Sequence, residues 1–328
     1  MDFASIIRSV GRGATGARDL SRSDAQQLYG AMLDGEVPDL ELGAIAIALR
    51  MKTETVEEMG GFLAAANARL PILRRPPCGK IRPVVIPTYN GARRHANLTP
   101  LLALLLQRFD VPVLLHGLSD DYGRVTSEQI LCAYGLQACG SVQEAQCLID
   151  QRRMAYLPLP LLSPGLDRLL ALRSRLGLRN SAHSLVKMID PFAGDSLLVT
   201  AATHPDYLNS MRALLTGTGA NALLLRGTEG EPFANPKRRP LIEHLHGGVH
   251  DILFEAEHDS LRNLPQLPEN CDATATVAWM HRVLVGEVSL PLPIANQLAC
   301  CLHACGRASS FHQAKALVAV AGKGLATV

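Results

Sequence analysis

The pattern of apolar residues changes at Pro71, and this change constrains the fold more than any other feature of the chain. Before Pro71, apolar residues recur at intervals of three and four, as in segment 25–33, and no run resembles a strand. Serines precede that segment and Gly35 follows it, which is typical of a capped helix. We therefore predict a small helical domain over residues 1–72.

After Pro71, short apolar runs, the first of them rich in β-branched residues, alternate with helical segments. The predicted strands are 83–87, 111–115, 197–200 and 222–225, and the predicted helices include 97–107 and 206–216. Strands that alternate with helices favour a mostly parallel sheet with helices on its faces. Residues 73–328 are therefore predicted to form a larger α/β domain.

Two other segments are assigned from weaker patterns. Residues 143–179 are predicted to be helical with turns, and the stretch 143–190 is a candidate to return to the helical domain. Histidines crowd segment 244–250 without a helix face to align them, so we predict a polar surface loop there. The cysteines do not form spaced pairs, and the sequence therefore predicts no metal site.

Composition excludes several classes of protein. With 48% hydrophobic and 19% charged residues, the chain has enough apolar surface to form packed domains, which excludes disorder as its dominant state. No apolar run approaches the roughly 18 residues that cross a bilayer. The start of the chain lacks the basic segment and apolar core of a signal peptide. We therefore expect a cytoplasmic protein without a membrane partner.

Positive charge is concentrated in two windows, although the formal net charge is only +2. No carboxylate occurs between Glu58 and Asp110, a window that contains eight lysines and arginines. A second window without acids lies between Asp167 and Asp190. Segregated positive charge indicates a polyanionic partner, and ordinary solvated basic faces are the alternative interpretation.

The order of segments and several short motifs resemble the anthranilate phosphoribosyltransferase family. His116-Gly117 stands where that family has the last two residues of Lys-His-Gly, and 176–179 is similar to its Leu-Gly-Val-Arg stretch. The helices over 35–58 are also similar to its opening helices. The resemblance spans most of the chain. It implies a small helical domain and a larger α/β domain, as in nucleoside phosphorylases and phosphoribosyltransferases.

The chain departs from that family at the loop with which the family binds phosphate. The family's Gly-Thr-Gly-Gly-Asp loop is replaced by loop 88–94, which keeps one glycine. Backbone N–H groups approach a phosphate most closely where side chains are absent, so the larger residues here are expected to limit that approach. The predicted vestigial substrate and phosphate cleft consists of Tyr89, Asn90, Gly91, His116, Gly117 and Arg173.

The family's magnesium site is changed as well. The family holds Mg²⁺ with an adjacent Asp-Glu pair, because this ion requires oxygen ligands. Pro232 and Phe233 stand at that place, and neither side chain can bind magnesium. Glu229 and Glu231 lie nearby and are the candidates to replace the lost ligands. We predict no catalytic residue and no cofactor, and magnesium is implied only if the chain is an active transferase.

These departures resemble the YbiB-type, TrpD-like paralogues of the family, and the resemblance implies nucleic-acid binding by a homodimer. We predict binding of DNA or RNA along a basic groove without sequence specificity, because contacts to phosphates carry no sequence information. Tyr89 and Tyr122 are the candidates to stack on bases. The predicted nucleic-acid-binding residues are Arg74, Arg75, Lys80, Arg82, Arg93, Arg94, Arg173, Arg175, Arg179, Lys187, Lys237, Arg238 and Arg239.

Two alternative functions use the same residues. An active phosphoribosyltransferase with a changed acceptor would place Arg93 and Arg94 on the pyrophosphate and His116 or Arg173 at the acceptor. A non-catalytic protein would bind a nucleotide or a phosphorylated metabolite in the basic cleft. The ligand distinguishes the three functions: a long polyanion, phosphoribosyl pyrophosphate with magnesium, or a small phosphate compound.

Overall fold

The computed structural model describes residues 1–77, 79–120, 123–257 and 266–324. Its elements begin with α1 (Phe3–Val10), α2 (Gly13–Gly16), α3 (Arg22–Asp34), α4 (Asp39–Lys52), α5 (Val56–Asn67), β1 (Val84–Pro87), α6 (Thr99–Gln107), β2 (Val113–Gly117), α7 (Ser127–Ala133), α8 (Val142–Asp150) and β3 (Met154–Pro158). They continue with α9 (Leu159–Leu162), α10 (Pro164–Ala171), α11 (Arg173–Leu176), α12 (Ala182–Leu185), β4 (Leu197–Ala202), α13 (Pro205–Gly217), β5 (Ala222–Arg226), β6 (Ile242–His246), β7 (Val249–Phe254), α14 (Ala273–Leu284), α15 (Leu292–Ala304) and α16 (Phe311–Gly324). No helix in these ranges is long and apolar enough to cross a membrane.

The chain divides into two compact units. Unit 1 contains Met1–Ile72 and Leu159–Pro191, and unit 2 contains Leu73–Pro158 and Phe192–Val328. The segment that returns to unit 1 therefore begins at Leu159 and not near residue 143. The prediction of helices and turns over 143–179 is wrong at β3, which pairs in parallel with β2 in unit 2.

Helices α3 and α5 form the centre of unit 1. Ser21 accepts a hydrogen bond from the N–H of Asp24 at the start of α3, and Gly35 ends the helix with a φ of 78°. Thr55 and Glu58 form a capping box at the start of α5. These caps satisfy backbone groups at the helix ends, and the apolar faces of the two helices are buried.

A mostly parallel sheet forms the centre of unit 2. Its seven strands lie in the order β3-β2-β1-β4-β5-β6-β7. Strands β1 to β5 are parallel, whereas β6 and β7 add antiparallel pairs at one side. All residues of β1, β2 and β4 are buried, as expected for parallel strands covered on both faces. The predicted fold class is confirmed.

The order of the strands reverses beside β1. The chain passes from β1 outward to β2 and β3, and it then crosses back to place β4 on the other side of β1. In an open α/β sheet such a reversal leaves a crevice at the carboxyl ends of the central strands, where ligands bind. The segments that follow β1, β4 and β5 are therefore the place for a functional site.

The histidine-rich segment predicted to be a surface loop is a β-hairpin. Strand β6 ends at His246 and β7 begins at Val249. Gly247 and Gly248 lie between the strands with φ values of 54° and 83°, and positive φ at both central positions is typical of a type I′ turn. Buried and half-buried residues alternate toward the end of β6, a period of two that the histidine content obscured.

Gly117, the last residue of β2, leaves no room for a side chain. A Cβ at this position would lie 2.1 Å from the backbone carbonyl oxygen of Thr88. Gly117→Ala should therefore lower the free energy of unfolding by about 2 kcal/mol, because buried backbone must move apart. Gly217→Ala, at an open position of α13, is the matched control and should be neutral or slightly stabilising. Urea denaturation measures both, and equal losses would contradict the steric explanation.

Candidate functional site

The loop that follows β1 lies at the carboxyl edge of the sheet. Ala92 in this loop forms two backbone hydrogen bonds with Val125, at 3.1 and 2.8 Å. Gly91 has a φ of 61°, and a Cβ on it would lie 2.9 Å from the carbonyl oxygen of Val125. The one glycine that the loop keeps is thus required by its backbone conformation and by close packing.

A tight turn after β5 brings two carboxylates to this loop. Thr228 and Glu231 exchange backbone hydrogen bonds of 3.1 and 3.0 Å. The residues between them, Glu229 and Gly230, have φ values of 55° and 93°, as in a type I′ turn. Gly227 precedes the turn, and a Cβ there would lie 2.2 Å from the carbonyl oxygen of Glu231. This geometry accounts for both glycines of the sequence Gly-Thr-Glu-Gly-Glu.

The carboxylate of Glu231 is fully buried and accepts hydrogen bonds at both oxygens. Its Oε1 accepts from the backbone N–H groups of Asn90 and Gly91, each at 2.9 Å. Its Oε2 accepts from the hydroxyl of Thr99 at 3.1 Å and from the hydroxyl of Thr88. Burial raises the pKa of Glu231, and these hydrogen bonds oppose the shift. The four donors fill the acceptor positions of the carboxylate.

Glu229 holds the next part of the same loop. Its carboxylate accepts from the backbone N–H groups of Arg93 and Arg94 at 3.2 and 2.8 Å, and it lies 3.1 Å from Nδ1 of His95. Nη1 of Arg124 is 3.7 Å from its second oxygen. Burial alone would raise the pKa of Glu229, but the hydrogen bonds from His95 and the two amides lower it below its ordinary value.

The two carboxylates do not fit the role of magnesium ligands. Mg²⁺ requires oxygen atoms with available lone pairs in octahedral geometry. The oxygens of Glu229 and Glu231 instead accept hydrogen bonds from backbone amides, hydroxyls and an imidazole. Across the described ranges, no group of three or more His, Cys, Asp or Glu could hold a metal ion. Both glutamates therefore hold the backbone of the loop after β1 in place.

The expectation that Tyr89 stacks on a base is wrong. Only 4% of Tyr89 is exposed, whereas a stacking platform must present its ring to the ligand. Asn90 is buried too, and its side-chain amide donates to the backbone carbonyl of Glu229. Tyr122, the other candidate, lies outside the described residues. Base stacking at this loop therefore has no support from Tyr89.

His116, a predicted residue of the vestigial cleft, is buried and neutral. It lies near the end of β2 with none of its surface exposed. Within the described part of the chain, neither ring nitrogen has a hydrogen-bond partner. Burial lowers the pKa of His116 to about 3. The imidazole therefore supplies no positive charge to a phosphate ligand near neutral pH.

Unit 1 carries the second set of predicted basic residues. Burial lowers the pKa of His183 to about 3, and the positive charges of Arg179, Arg173 and Lys187 add to this shift. The positive charges of these three side chains therefore act on one buried imidazole. Arg175 is separate, because it is exposed and pairs with an aspartate at 3.0 Å.

The first set of predicted basic residues is divided between two edges of the sheet. Lys80 and Arg82 precede β1, and the N–H of Arg82 donates to the carbonyl oxygen of Cys305 at 2.8 Å. Arg93 and Arg94 follow β1 and are held by the turn after β5. A strand of four residues spans about 13 Å. The single groove predicted from this sequence window therefore separates into an amino-edge and a carboxyl-edge surface.

Most of the predicted cations of unit 2 have exposed side chains that form no ion pair among the described residues. Arg75 pairs with Asp195 at 3.0 Å, and Arg239 pairs with Glu257. The others have no acid at ion-pair distance among the residues that the structure describes; they are Arg74, Lys80, Arg82, Arg93, Arg94, Lys237 and Arg238. Side chains of this kind are the ones that are available to an external anion.

Four of these cations form a carboxyl-edge group, defined as Arg93, Arg94, Lys237 and Arg238. The last two belong to this edge because they precede β6, whose first residue lies opposite Leu225 at the end of β5. Arg226, the last residue of β5, is exposed at the same edge. The charge windows did not include it, and its only sequence signal is one arginine between an apolar run and a glycine.

Comparison with known proteins shows the family of this chain. Residues 4–69 match the helical bundle domain of a glycosyl transferase family. The chain is 42% identical to YbiB of Escherichia coli (strain K12) over 319 residues. The aligned part covers 97% of this chain and 99% of that protein. The chain belongs to the TrpD-like family of YbiB. It is also 25% identical over 323 residues to anthranilate phosphoribosyltransferase of Rhodopseudomonas palustris (strain BisA53), covering 97% and 92% of the two chains.

Solved structures show the same fold for this TrpD-like protein. Anthranilate phosphoribosyltransferase (TrpD) from Thermus thermophilus matches with a TM-score of 0.75 and 21% identity, covering 100% of this chain and 95% of that chain. The enzyme from Saccharomyces cerevisiae, in complex with PRPP and Mg, matches with a TM-score of 0.71 and 11% identity over 98% of this chain and 95% of that chain. The resemblance to this family is confirmed.

The buried histidines of this TrpD-like protein should make its stability sensitive to acid. His116 and His183 have folded-state pKa values of about 3, against an ordinary value of 6.5. Below pH 6.5 the unfolded chain therefore binds protons that the folded chain excludes. Stability should fall by about 1.4 kcal/mol per pH unit for each of these residues as the pH decreases.

Urea denaturation between about pH 7 and about pH 5 measures this slope. His116→Leu should lower the slope by about 1.4 kcal/mol per pH unit, because the unfolded variant no longer binds that proton. His312→Leu, at an exposed position, is the control for the loss of one histidine. An unchanged slope in His116→Leu would show that His116 is protonated in the folded chain.

Proposed function

We propose that this protein binds DNA or RNA through backbone phosphates without reading the base sequence. The observation that carries the proposal is the carboxyl-edge group, whose four exposed side chains form no ion pair in the described part of unit 2. Each cation that meets a phosphate releases counterions and adds salt-dependent affinity. Phosphate contacts carry no sequence information, so such a surface binds all sequences alike.

The environment of the loop after β1 disfavours the transferase alternative. A pyrophosphate group would need the backbone N–H groups to which Glu229 and Glu231 are bound. Both carboxylates would also have to leave those donors before they could bind magnesium. His116 is neutral and offers no charge to an anion. These contacts therefore favour the binding of an anion by exposed side chains over the transfer of a phosphoribosyl group.

Arg173, Arg179 and Lys187 of unit 1 support the same proposal. Their positive charges lower the pKa of the buried imidazole of His183, and positive charges of this kind suit a run of phosphates. A small phosphorylated metabolite, the remaining alternative, would use only one cluster of cations. A nucleic acid would meet many cations at once, and its affinity would depend on the length of the strand.

We propose further that the protein acts as a homodimer that associates through unit 1. A groove of about 870 Å³ is lined mainly by apolar residues of α1, α2 and α4. Leu40 and Met51 line it with 82% and 67% of their surface exposed. Apolar residues grouped in this way favour burial against another protein surface. A second copy of the chain would offer the same surface and double the number of cations.

Fluorescence anisotropy with labelled oligonucleotides of scrambled sequence tests the nucleic-acid proposal. The wild-type protein should bind single-stranded or double-stranded oligonucleotides with affinity that falls steeply as salt increases from about 50 to about 200 mM. Replacing Arg93 and Arg94 by Ala should weaken binding equally for all sequences. It should also lower the slope of log affinity against log salt by about 2.

Replacing Lys80 and Arg82 by Ala is the matched control, because it removes the same charge at the amino edge of the same sheet. We expect a smaller loss of affinity in this variant. A larger loss than in the Arg93 and Arg94 variant would show that the wrong edge has been assigned. If the wild-type protein does not bind at low salt, the proposal fails, and phosphoribosyl pyrophosphate with magnesium is the next ligand to test.

Analytical ultracentrifugation tests the dimer. The wild-type protein should sediment as a dimer, and replacing Leu40 and Met51 by Glu should convert it to a folded monomer, because two charges would be buried at the interface. Leu292→Glu is the control, since Leu292 is exposed but belongs to unit 2. A wild-type monomer, or a dimer that persists in the double variant, would contradict the proposed interface.

A further inference from the structure

We propose that Glu231 is an internal anion that occupies a phosphate-binding position in the loop after β1 and keeps that position closed to ligands. The inference goes beyond nucleic-acid binding, because it concerns the backbone donors of the loop and not the exposed arginines. The ligand class that this position would take in the absence of Glu231 is an inorganic phosphate, a pyrophosphate or a phosphate ester.

The first support is the direction of two consecutive backbone donors. The N–H groups of Asn90 and Gly91 point at the same atom, Oε1 of Glu231, each at 2.9 Å. Gly91 is in the left-handed region with a φ of 61°, which turns neighbouring N–H groups toward one side. Consecutive N–H groups of this kind form a concave anion-binding nest. The nest exists here, and a carboxylate of the same chain occupies it.

The second support is the rest of the donor set. The hydroxyls of Thr88 and Thr99 donate to Oε2, and Thr99 is the first residue of α6, which follows the loop. Backbone N–H groups and hydroxyls at the start of a helix after a strand are the groups that bind phosphate oxygens in many folds. Of the residues that donate to Glu231, none supplies a positively charged side chain.

The third support is the location of this nest. It lies at the carboxyl end of β1, beside the reversal of strand order between β1 and β4. Open α/β sheets bind their ligands at this point. Thr88, Asn90, Thr99 and Glu231 are all buried, so the position is enclosed as a specific anion site would be. The carboxylate therefore lies where the fold would otherwise hold a ligand.

The turn after β5 keeps Glu231 in this position. Two backbone hydrogen bonds close the turn between Thr228 and Glu231, and Gly227 packs against the carbonyl of Glu231 without room for a side chain. A soluble phosphate would have to displace a carboxylate that is already held by its own backbone. An attached group competes at a high effective concentration, so millimolar phosphate does not replace it.

Pyrophosphate titration of Glu231→Ala tests the inference. In the wild-type protein, inorganic pyrophosphate should leave the amide NMR resonances of Asn90 and Gly91 unchanged. In Glu231→Ala the same amides should shift in a saturable way, with a dissociation constant at least about tenfold lower than any binding by the wild type. The melting temperature of the variant should rise with pyrophosphate, because the ligand replaces the lost acceptor of four buried donors.

Glu243→Ala is the matched control. Glu243 is also a buried carboxylate of unit 2, and it is bonded to Arg212 and His250 and not to the loop. This variant should lose stability, but its Asn90 and Gly91 amides should not respond to pyrophosphate. An equal response in both variants would overturn the inference, since it would show binding that does not depend on the vacated nest.

Two further results would overturn the inference. One is a shift of the Asn90 and Gly91 amides in the wild-type protein with the same affinity as in Glu231→Ala. The other is a folded Glu231→Ala variant whose amides do not respond to pyrophosphate. Should Glu231→Ala not fold, hydrogen exchange in the wild-type protein tests the inference instead.

The wild-type protein supplies a test that does not depend on whether the variants fold. Hydrogen exchange of the Asn90 and Gly91 amides in the wild type should be slow and should not change with pyrophosphate. Protection that appears only with pyrophosphate would show an open nest and would refute the inference. Oligonucleotide binding is measured separately by anisotropy, so failure of one proposal leaves the other intact.

Discussion

The carboxylate of Glu231 joins two parts of unit 2 that are 141 residues apart in the chain. It accepts the backbone N–H groups of the loop after β1, while its own backbone belongs to the turn after β5. All four of its donors belong to buried residues. A buried donor without a partner is strongly destabilising. The conformation of the loop after β1 therefore depends on this acceptor. Glu229 repeats the same chemistry for Arg93 and Arg94, which fixes the backbone from which both arginines project.

The strands that the sequence predicted are those with runs of Val, Ile or Leu. β1, β2, β4 and β5 are buried on both faces, so a simple apolar run identifies them. β3 was missed because its sequence, Met-Ala-Tyr-Leu-Pro, lacks the repeated Val, Ile or Leu of the predicted strands and follows a helix without a clear turn signal. β6 and β7 were missed because polar histidines and acids alternate with few apolar residues at that side of the sheet. In both cases, pairing with a neighbouring strand decides the structure, and local preference does not.

The site was only partly accessible to sequence reasoning. Glu229 and Glu231 were identified as the acids nearest the family's metal position, but a sequence does not indicate which donors surround a carboxylate. The fold brings backbone amides to them, and these compete with a metal for the same lone pairs. The sequence windows without acids were limited in a similar way, because they do not show which cations share one surface. Lys80 and Arg93 belong to one window, yet β1 separates them, because residues before and after a parallel strand lie at opposite edges of the sheet.

Backbone amides and side-chain cations bind anions in different ways, and the distribution of these two donor types distinguishes the candidate functions. Amides in a nest recognise one phosphate group with defined geometry. Flexible lysines and arginines on a surface bind several phosphates at once, with little requirement for how those phosphates are arranged. In this chain the amides of the loop are bound by glutamates, while the side chains of the neighbouring cations are exposed and form no ion pair among the described residues. Under the proposed function, anions at this edge would therefore be bound by side chains, an arrangement that suits an extended polyanion better than a single small phosphate compound.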